Sequence, residues 1–153
     1  MEAILITGRP RSGKSTLAII LKRYIGDKAI ILDGDDLRNS LDYTDFSEEG
    51  RKRWIKRVAS LALTFVRQGF CPIIALVSPY AGVRKEIGEI FKNNDIDFTL
   101  FYVDGAADRM WSGSVYEEPQ EDEQPITIKF PKGFDYAKVF DVFSGRVGFP
   151  RID

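Results

Sequence analysis

Gly8-Arg9-Pro10-Arg11-Ser12-Gly13-Lys14-Ser15-Thr16 matches the pattern G-x-x-x-x-G-K-[ST] at each fixed position. The preceding run, Ala3 to Thr7, is short, apolar and rich in branched residues, which is typical of a buried parallel strand. The following run places its apolar residues, Leu17, Ile20, Leu21 and Tyr24, at helical spacing. A strand, a glycine-bearing loop and a helix in this order predict a phosphate-binding loop.

This motif assigns a phosphate-binding role to a contiguous set of residues. Glycines at both ends let the backbone turn so that successive N–H groups point into one concavity, beside the positive end of the following helix. Lys14 is expected to reach the β- and γ-phosphates of ATP, and the Ser15 hydroxyl to coordinate Mg²⁺. The predicted nucleotide-binding residues are Gly8, Arg11, Ser12, Gly13, Lys14, Ser15 and Thr16. For Arg9 and Arg11 two interpretations stay open, added charge near the phosphates or plain solvation.

Composition limits the remaining chemistry. The 153 residues carry 44% hydrophobic and 29% charged side chains, which predicts one soluble domain over residues 1–153. A net charge of −1 does not suggest a broad basic surface for duplex DNA, although local basic clusters remain compatible with it. Histidine is absent, so neither histidine catalysis nor histidine metal ligation is available. The single cysteine, Cys71, precludes an internal disulfide and is expected to be buried.

The chain shows neither a leader pattern nor an apolar run long enough to span a membrane, so a cytoplasmic protein is expected. Strands alternate with helices along it, with further strands expected over 28–32, 71–77, 97–103 and 126–130. Helices are expected over 37–41, 47–68, 83–91, 106–111 and 136–143, with an acidic loop over 117–125. This alternation predicts an α/β fold of the P-loop NTPase type, a three-layer sandwich whose five-stranded parallel sheet has helices on both faces.

Polar residues gather where the predicted strands end. Asp33, Asp35 and Asp36 follow the second strand, Ser78-Pro79-Tyr80 the third, and Asp104 the fourth. Because ligands bind at the carboxyl edge of such sheets, these segments and the phosphate loop are expected to form one site. Crowded carboxylates suit Mg²⁺ or an acceptor hydroxyl, while the simpler interpretation is that Asp35 or Asp36 caps the short helix.

The helix expected from Ser47 to Gln68 has an N-cap serine, two acidic residues in its first turn, and Gly69 after its end. Its buried stripe is predicted to consist of Ile55, Val58, Ala59, Ala62 and Val66. The basic residues in its first half are interpreted as a solvated face. Arg51 is the exception, because we expect it to reach an anionic acceptor.

Several ordered blocks of the chain resemble the adenylylsulfate kinase (APS kinase) family over roughly residues 1–120. They are the phosphate loop, Leu32-Asp33-Gly34-Asp35-Asp36-Leu37-Arg38, Phe46-Ser47-Glu48-Glu49-Gly50-Arg51, Ser78-Pro79-Tyr80, Tyr102-Val103-Asp104 and Tyr116-Glu117-Glu118-Pro119. D-G-D-x-x-R, F-S-E-x-x-R and S-P-Y in this order are far more specific than the phosphate loop alone.

The resemblance implies an enzyme, a phosphotransferase that moves the γ-phosphate of ATP to the 3′-hydroxyl of adenylyl sulfate. It implies that Lys14, Asp33 and Asp35 are the catalytic residues, with Asp35 the first candidate for orienting the acceptor hydroxyl. It implies that Ser15 and Asp35 hold Mg²⁺. The acceptor-binding residues that it implies are Asp35, Arg38, Phe46, Arg51, Ser78 and Pro79; Arg38 and Arg51 bind the anionic group, and Phe46 stacks on the base. Trp54 is a further acceptor-binding candidate, which the resemblance itself does not imply.

Two departures from the family pattern concern the acceptor side. Trp54 stands where the family has a substrate-contacting Asn, and Arg53 where it has an acidic residue; Trp54 either stacks a base or packs in the core with Val58 and Leu61. The family lid R-D-x-K-G-L-Y-x-K is essentially deleted between Asp104 and Val115, which implies a more open acceptor site. Arg109 is a candidate replacement for the lid arginine.

Other functions therefore remain as alternatives. One is a kinase for a 5-hydroxymethyl-pyrimidine in DNA or for a polynucleotide end, which the missing lid, Trp54 and the basic helix start would suit. Another is a non-catalytic nucleotide-binding regulator, against which the retained Lys14, Asp33 and Asp35 argue. The expected partner is a small nucleotide acceptor rather than a membrane, with a nucleic-acid acceptor and a homodimer left open.

Overall fold

A computed structural model of the protein describes residues 1–105 and 115–130. The elements in chain order are β1 (Glu2–Thr7), α1 (Lys14–Ile25), β2 (Ala29–Asp33), α2 (Gly34–Ser40), α3 (Glu48–Arg67), β3 (Cys71–Ala75), α4 (Ala81–Asn93), β4 (Asp97–Gly105), a 3₁₀ turn (Glu121–Glu123) and β5 (Ile126–Phe130). The helices expected over 106–111 and 136–143, and Arg109, lie outside the described residues.

The five strands form one parallel sheet in the order β2-β3-β1-β4-β5. Strand β1 lies at its centre, with Ile4 opposite Ile73 of β3 and opposite Thr99 of β4. Every residue of β1 is buried, as the apolar run before the phosphate loop predicts. The predicted α/β P-loop architecture is confirmed.

Alternate residues of β1 belong to two apolar cores, one on each face of the sheet. Ala3 and Leu5 pack with the buried sides of α3 and α4, whereas Ile4 and Ile6 pack with α1. The sheet is therefore covered by helices on both faces, and the carboxyl ends of β1, β2 and β3 lie at one edge.

Element bounds differ from expectation mainly at the ligand edge. β3 ends at Ala75 instead of Val77, and Ser78 has a left-handed φ of 43°. Helix α2 begins at Gly34, earlier than expected, because Asp33 caps it. Ser47 caps α3 by accepting from the Gly50 N–H at 3.1 Å, and β5 has the predicted bounds.

Within the described residues, no helix is both long and apolar enough to cross a bilayer.

Candidate active site

A cavity of about 610 Å³ opens at the carboxyl edge of the sheet. One half is the phosphate loop and the start of α1; the other is formed by α2, the segment before α3, the first turns of α3 and the chain after β3. The predicted site residues that line it are Arg11, Ser12, Gly13, Lys14, Ser15, Thr16, Asp33, Asp35, Arg38, Phe46, Arg51, Trp54, Ser78 and Pro79. The structure thus brings together all the predicted catalytic and binding residues except Gly8. Asp36, Tyr80 and Asp104, which were expected to join the site at the strand ends, do not line the cavity.

Gly8 supports the loop from outside the cavity lining. A Cβ at this position would lie 2.6 Å from the Ser12 Oγ and 2.7 Å from the Val103 carbonyl oxygen. The second distance is to backbone, so a side chain could not be accommodated by rotating a neighbour. Gly8 therefore permits the close approach of the phosphate loop to β4.

Gly13 ends the loop in a conformation that favours glycine. Its φ of 112° and ψ of 14° are left-handed, and it precedes α1 without a side-chain cap for the helix amides. The first amides of α1 are therefore free of a side-chain capping partner at the point where the motif expects phosphate oxygens.

The ammonium group of Lys14 folds back on its own loop. Its Nζ donates a hydrogen bond to the Arg9 carbonyl oxygen at 2.8 Å. Burial lowers the pKa of Lys14 to about 8, although the charges of Asp35 and Asp33 act in the opposite direction. The cation is thus held partly out of water beside two carboxylates.

Asp33 has two structural partners at the end of β2. Its Oδ2 accepts from the Ser15 hydroxyl at 2.9 Å, and its Oδ1 accepts from the amides of Asp35 at 3.0 Å and Asp36 at 3.4 Å. Neither Asp35 nor Asp36, the two residues named in the simpler interpretation, caps the short helix. Asp33 does so because, as the last residue of β2, it has the extended backbone of an N-cap, with φ −84° and ψ 129°.

The oxygen donors present fit Mg²⁺. The Ser15 hydroxyl and the Asp33 carboxylate are in contact, and Asp35 lines the same cavity. Within residues 1–105 and 115–130 there is no cluster of three acidic, cysteine or histidine side chains that could form an all-protein cage. Mg²⁺ does not need one, because it retains waters and binds one or two carboxylates with substrate phosphates. The contact of Ser15 is with Asp33 rather than with Asp35, and the metal ligands themselves stay a prediction.

Aromatic rings surround the Arg38 guanidinium on the acceptor side of the cavity. Its central carbon lies 4.5 Å from the ring centre of Phe46, 5.1 Å from that of Trp54 and 5.4 Å from that of Tyr43. Burial lowers the pKa of Arg38, and the positive charge of Arg51 acts in the same direction. Two cations therefore share this half of the cavity, which suits an anionic or planar ligand.

Trp54 packs in the core, as one of its two open interpretations predicts. The side chain is 3% exposed and belongs to the core cluster that contains Val58, with Leu61 packed against that cluster. It also lines the cavity, where its neighbour is Arg38. Trp54 is thus a core residue whose ring forms part of the wall of the site.

The two loop arginines differ. Arg9 turns toward the segment after residue 114, where it donates to Glu118 at 3.2 Å and to the Tyr102 hydroxyl at 3.5 Å and lies 4.9 Å from the ring centre of Tyr116. Arg11 is exposed, has a φ of 58° and lines the cavity. Of the two, only Arg11 stays a candidate for phosphate binding.

Arg84 supports the cavity wall from behind, and the sequence analysis missed it. The side chain is 1% exposed and forms a buried ion pair with Glu123, with Nε to Oε1 at 2.8 Å. It also donates to the carbonyl oxygens of Ser78 and Glu117, both at 2.7 Å. Because Ser78 and Pro79 line the cavity, Arg84 fixes one of its walls.

A sequence signal for Arg84 did exist. Arg84, Gly88 and Phe91 are spaced as neighbours on one helical face, and all three are buried in α4. An arginine on an apolar stripe requires a buried partner, which a sequence alone does not identify.

Comparison with known proteins gives consistent results. The family model described as adenylylsulphate kinase matches residues 2–123. A probable adenylyl-sulfate kinase of Bacillus subtilis is 36% identical over 96 residues, 60% of this chain and 49% of that protein. An adenylyl-sulfate kinase of Bacillus velezensis is 36% identical over 102 residues, 64% of this chain and 51% of that protein. The chain therefore spans about half the length of these curated relatives.

A solved structure has the same fold. The APS kinase of Mycobacterium tuberculosis, solved in complex with AMPPNP and APS, superposes with a TM-score of 0.79 over 94% of this chain and 97% of that one. Their sequences are 23% identical, so this likeness concerns the fold.

Proposed function

The chain belongs to the adenylylsulfate kinase family, and we propose that it is an ATP-dependent kinase acting on a hydroxyl of a nucleotide-type acceptor, adenylyl sulfate. One observation carries the proposal. A phosphate-loop lysine and a Ser15–Asp33 pair share one cavity with two arginines and an exposed phenylalanine. A donor end and an acceptor end thus face the same space.

On the donor side, the loop amides and Lys14 bind the phosphates of ATP. Lys14 leaves the Arg9 carbonyl oxygen and pairs with the β- and γ-phosphates, which replace one neutral acceptor with two charged ones. Ser15 and Asp33 would hold Mg²⁺, with Asp35 within the same cavity. When bound, the metal would supply positive charge that neutralises the phosphates.

On the acceptor side, Arg38 and Arg51 bind the anionic group of the acceptor, and Phe46 offers a ring face to its base. Phe46 is 60% exposed, so its ring is available for stacking. Arg51 lines the cavity, and within the described residues its side chain makes no ion pair. Ser78 and Pro79 also line the cavity.

The reaction forms a bond between the acceptor oxygen and the γ-phosphorus of ATP. It breaks the bond between that phosphorus and the oxygen that bridges the β- and γ-phosphates, and ADP is released. Asp35 orients the acceptor hydroxyl and takes its proton late, because the loose transition state needs little early deprotonation. Asp33 is less free to do so, since its two oxygens already accept from Ser15 and from the α2 amides. This occupancy favours Asp35 over Asp33 for the acceptor role.

The test is transfer of label from γ-labelled ATP with Mg²⁺. Wild-type chain is incubated with adenylyl sulfate, with DNA containing 5-hydroxymethyl-pyrimidine, and with polynucleotide 5′-hydroxyl ends. We expect label on adenylyl sulfate alone, with an Asp35→Asn variant slower by about 10²-fold or more. Label on a DNA substrate alone would show that the acceptor is DNA and not adenylyl sulfate. If none of the three substrates were labelled, the proposed kinase activity would be wrong.

Asp36→Asn is the matched control. Asp36 is the next residue in α2, is exposed and is absent from the cavity lining. Equal loss in both variants would show that helix α2, and not the Asp35 carboxylate, is responsible. Self-association as a homodimer is part of the proposal too, and light scattering during gel filtration measures it directly.

A further inference from the structure

Arg38 carries a positive charge in a partly buried place. Within the described residues it forms no ion pair with a carboxylate, and its side chain donates a hydrogen bond to the Tyr43 carbonyl oxygen at 3.4 Å. Burial lowers the pKa of Arg38 and the charge of Arg51 acts in the same direction, whereas the more distant carboxylates of Asp35 and Asp45 act in the opposite direction. What lies around the guanidinium instead is three aromatic rings, those of Tyr43, Phe46 and Trp54.

The two inner rings are a rigid support. Trp54 and Tyr43 stack with ring centres 4.9 Å apart and planes inclined by 25°. Tyr43 is tied to α3 by a hydrogen bond from its hydroxyl to the Gly50 carbonyl oxygen at 2.8 Å. Trp54 belongs to α3, and its side chain is buried in the core cluster. The rings of Trp54 and Tyr43 are therefore fixed to α3, whereas Arg38 is a residue of α2.

The stacked rings of Trp54 and Tyr43 determine where the Arg38 guanidinium lies. Cation–π attraction is strongest where the cation is desolvated. Here it comes from Trp54 on α3 and from Tyr43 and Phe46 in the segment before α3. With one hydrogen bond made, most of the guanidinium N–H donors stay available to a ligand in the cavity that Arg38 lines. Trp54 is 3% exposed, so it offers little surface of its own to that ligand.

We infer that Trp54 is a positioning residue for acceptor binding: with Tyr43 it holds the Arg38 guanidinium beside Phe46, ready for an anionic group or a planar base. This rests on the proposed function. It differs from what the family resemblance implies for this position, a polar side chain that contacts the substrate itself. Here the ring acts through Arg38.

The experiment compares two substitutions of Trp54 in the full chain. Trp54→Leu keeps an apolar core residue but removes the ring, and Trp54→Phe keeps a ring. Adenylyl sulfate is titrated calorimetrically with ADP and Mg²⁺ present, so that no transfer occurs, and ADP binding is measured separately. We expect Trp54→Leu to weaken adenylyl sulfate binding about tenfold, with Trp54→Phe within about threefold of wild type and ADP binding unchanged in both.

Other outcomes overturn the inference. Leu and Phe variants that bind adenylyl sulfate equally would show that the ring is not needed. Parallel weakening of ADP and adenylyl sulfate binding would show a general structural defect. Tighter adenylyl sulfate binding by Trp54→Asn would show that a direct polar contact matters at this position.

If the Trp54 variants do not fold, tryptophan fluorescence tests the same inference with Trp54 in place. The chain has two tryptophans, so a Trp111→Phe background leaves Trp54 as the only one. In that background Arg38→Met should change the Trp54 emission, whereas the exposed Arg53→Met should not, because only Arg38 lies on the ring. Identical emission in the two variants would overturn the inference.

The two proposals fail differently. A wild-type chain that binds adenylyl sulfate without transferring phosphate removes the proposed function and leaves the positioning role intact. A chain that transfers phosphate normally after Trp54→Leu, with unchanged adenylyl sulfate affinity, removes the positioning role and leaves the kinase.

Discussion

The phosphate half of the cavity is one continuous stretch, Gly8 to Thr16, whereas the acceptor half is assembled from side chains of several separate segments. The first half depends on backbone conformation, as the left-handed Gly13 and the tight packing of Gly8 indicate. The second depends on contacts such as those of Arg38 with three rings and of Arg84 with Glu123. Substitutions should therefore affect the two halves separately, and the following predictions test this difference.

The largest expected effect is on the acceptor wall. Arg84→Met leaves the buried Glu123 carboxylate without its ion-pair partner and removes the shorter of two hydrogen bonds to the Ser78 carbonyl oxygen, so we expect about 3–5 kcal/mol loss of unfolding free energy. In whatever fraction folds, the KM for adenylyl sulfate should rise more than the KM for ATP. Chemical denaturation and steady-state kinetics measure the two effects.

Lys85→Met is the control for that variant. Lys85 is the next residue and pairs with Asp122 on the surface, where an ion pair contributes about 0–1 kcal/mol. An Arg84→Met chain as stable as Lys85→Met would mean that the buried pair does not hold the wall.

On the phosphate half, the effect should appear in turnover rather than in folding. Lys14→Met removes a cation directed at the transferring phosphate, which typically lowers kcat about 10²–10³-fold. Its unfolding free energy should not fall, because burial penalises the charged lysine in the free protein. Lys22→Met, at the exposed end of the same helix, should keep full activity; equal losses in both variants would contradict the assignment.

Nucleotide affinity should depend on pH through the same lysine. In the free protein the Lys14 pKa is lowered to about 8, and bound phosphates favour its charged form. ATP-analogue binding should therefore weaken as pH rises above about 8, approaching tenfold per pH unit, with proton uptake on binding. Calorimetric titration between pH 7 and 9.5 in buffers of different ionisation enthalpy measures both quantities.

The contribution of Lys14 to the unfolding free energy changes with pH in the opposite direction from nucleotide affinity. The unfolded lysine titrates near its usual 10.5, so between pH 8 and 10.5 the unfolded chain binds more protons and the Lys14 contribution to stability rises with pH. Nucleotide affinity that stays constant up to pH 9.5 in wild type, as in Lys14→Met, would contradict the lowered pKa.

The smallest effect is expected at the edge of the phosphate half, where Arg9 of the loop pairs with Glu118. Glu118→Gln removes the carboxylate from Arg9, but that pair is exposed, with side chains 22% and 56% accessible. We expect a change of about 0–1 kcal/mol in unfolding free energy and less than about threefold in ATP affinity. A larger shift would mean that Arg9 braces the phosphate loop more strongly than an exposed ion pair can.

Local features of the fold could be predicted from the sequence. The strand-loop-helix unit, the Ser47 cap and the bounds of β5 depend on residues adjacent in the chain. Of the side chains expected at the strand ends, Asp33, Asp35, Ser78 and Pro79 line one cavity, because parallel strands deliver their carboxyl ends to the same edge. The ends of helices and strands at that edge were predicted less accurately, because Asp33 caps α2 and β3 ends before Ser78.

The sequence by itself determined a phosphate loop between a buried strand and a helix, and an acidic strand end beside it, because backbone geometry there follows from neighbouring glycines and apolar residues. Tertiary structure alone decided that Asp33 meets Ser15, that Trp54 lies against Arg38, and that Arg84 pairs with Glu123. These partners are distant along the chain, and no local spacing specifies them. Strand order and helix packing bring them into contact, and burial then requires that each polar group find a partner.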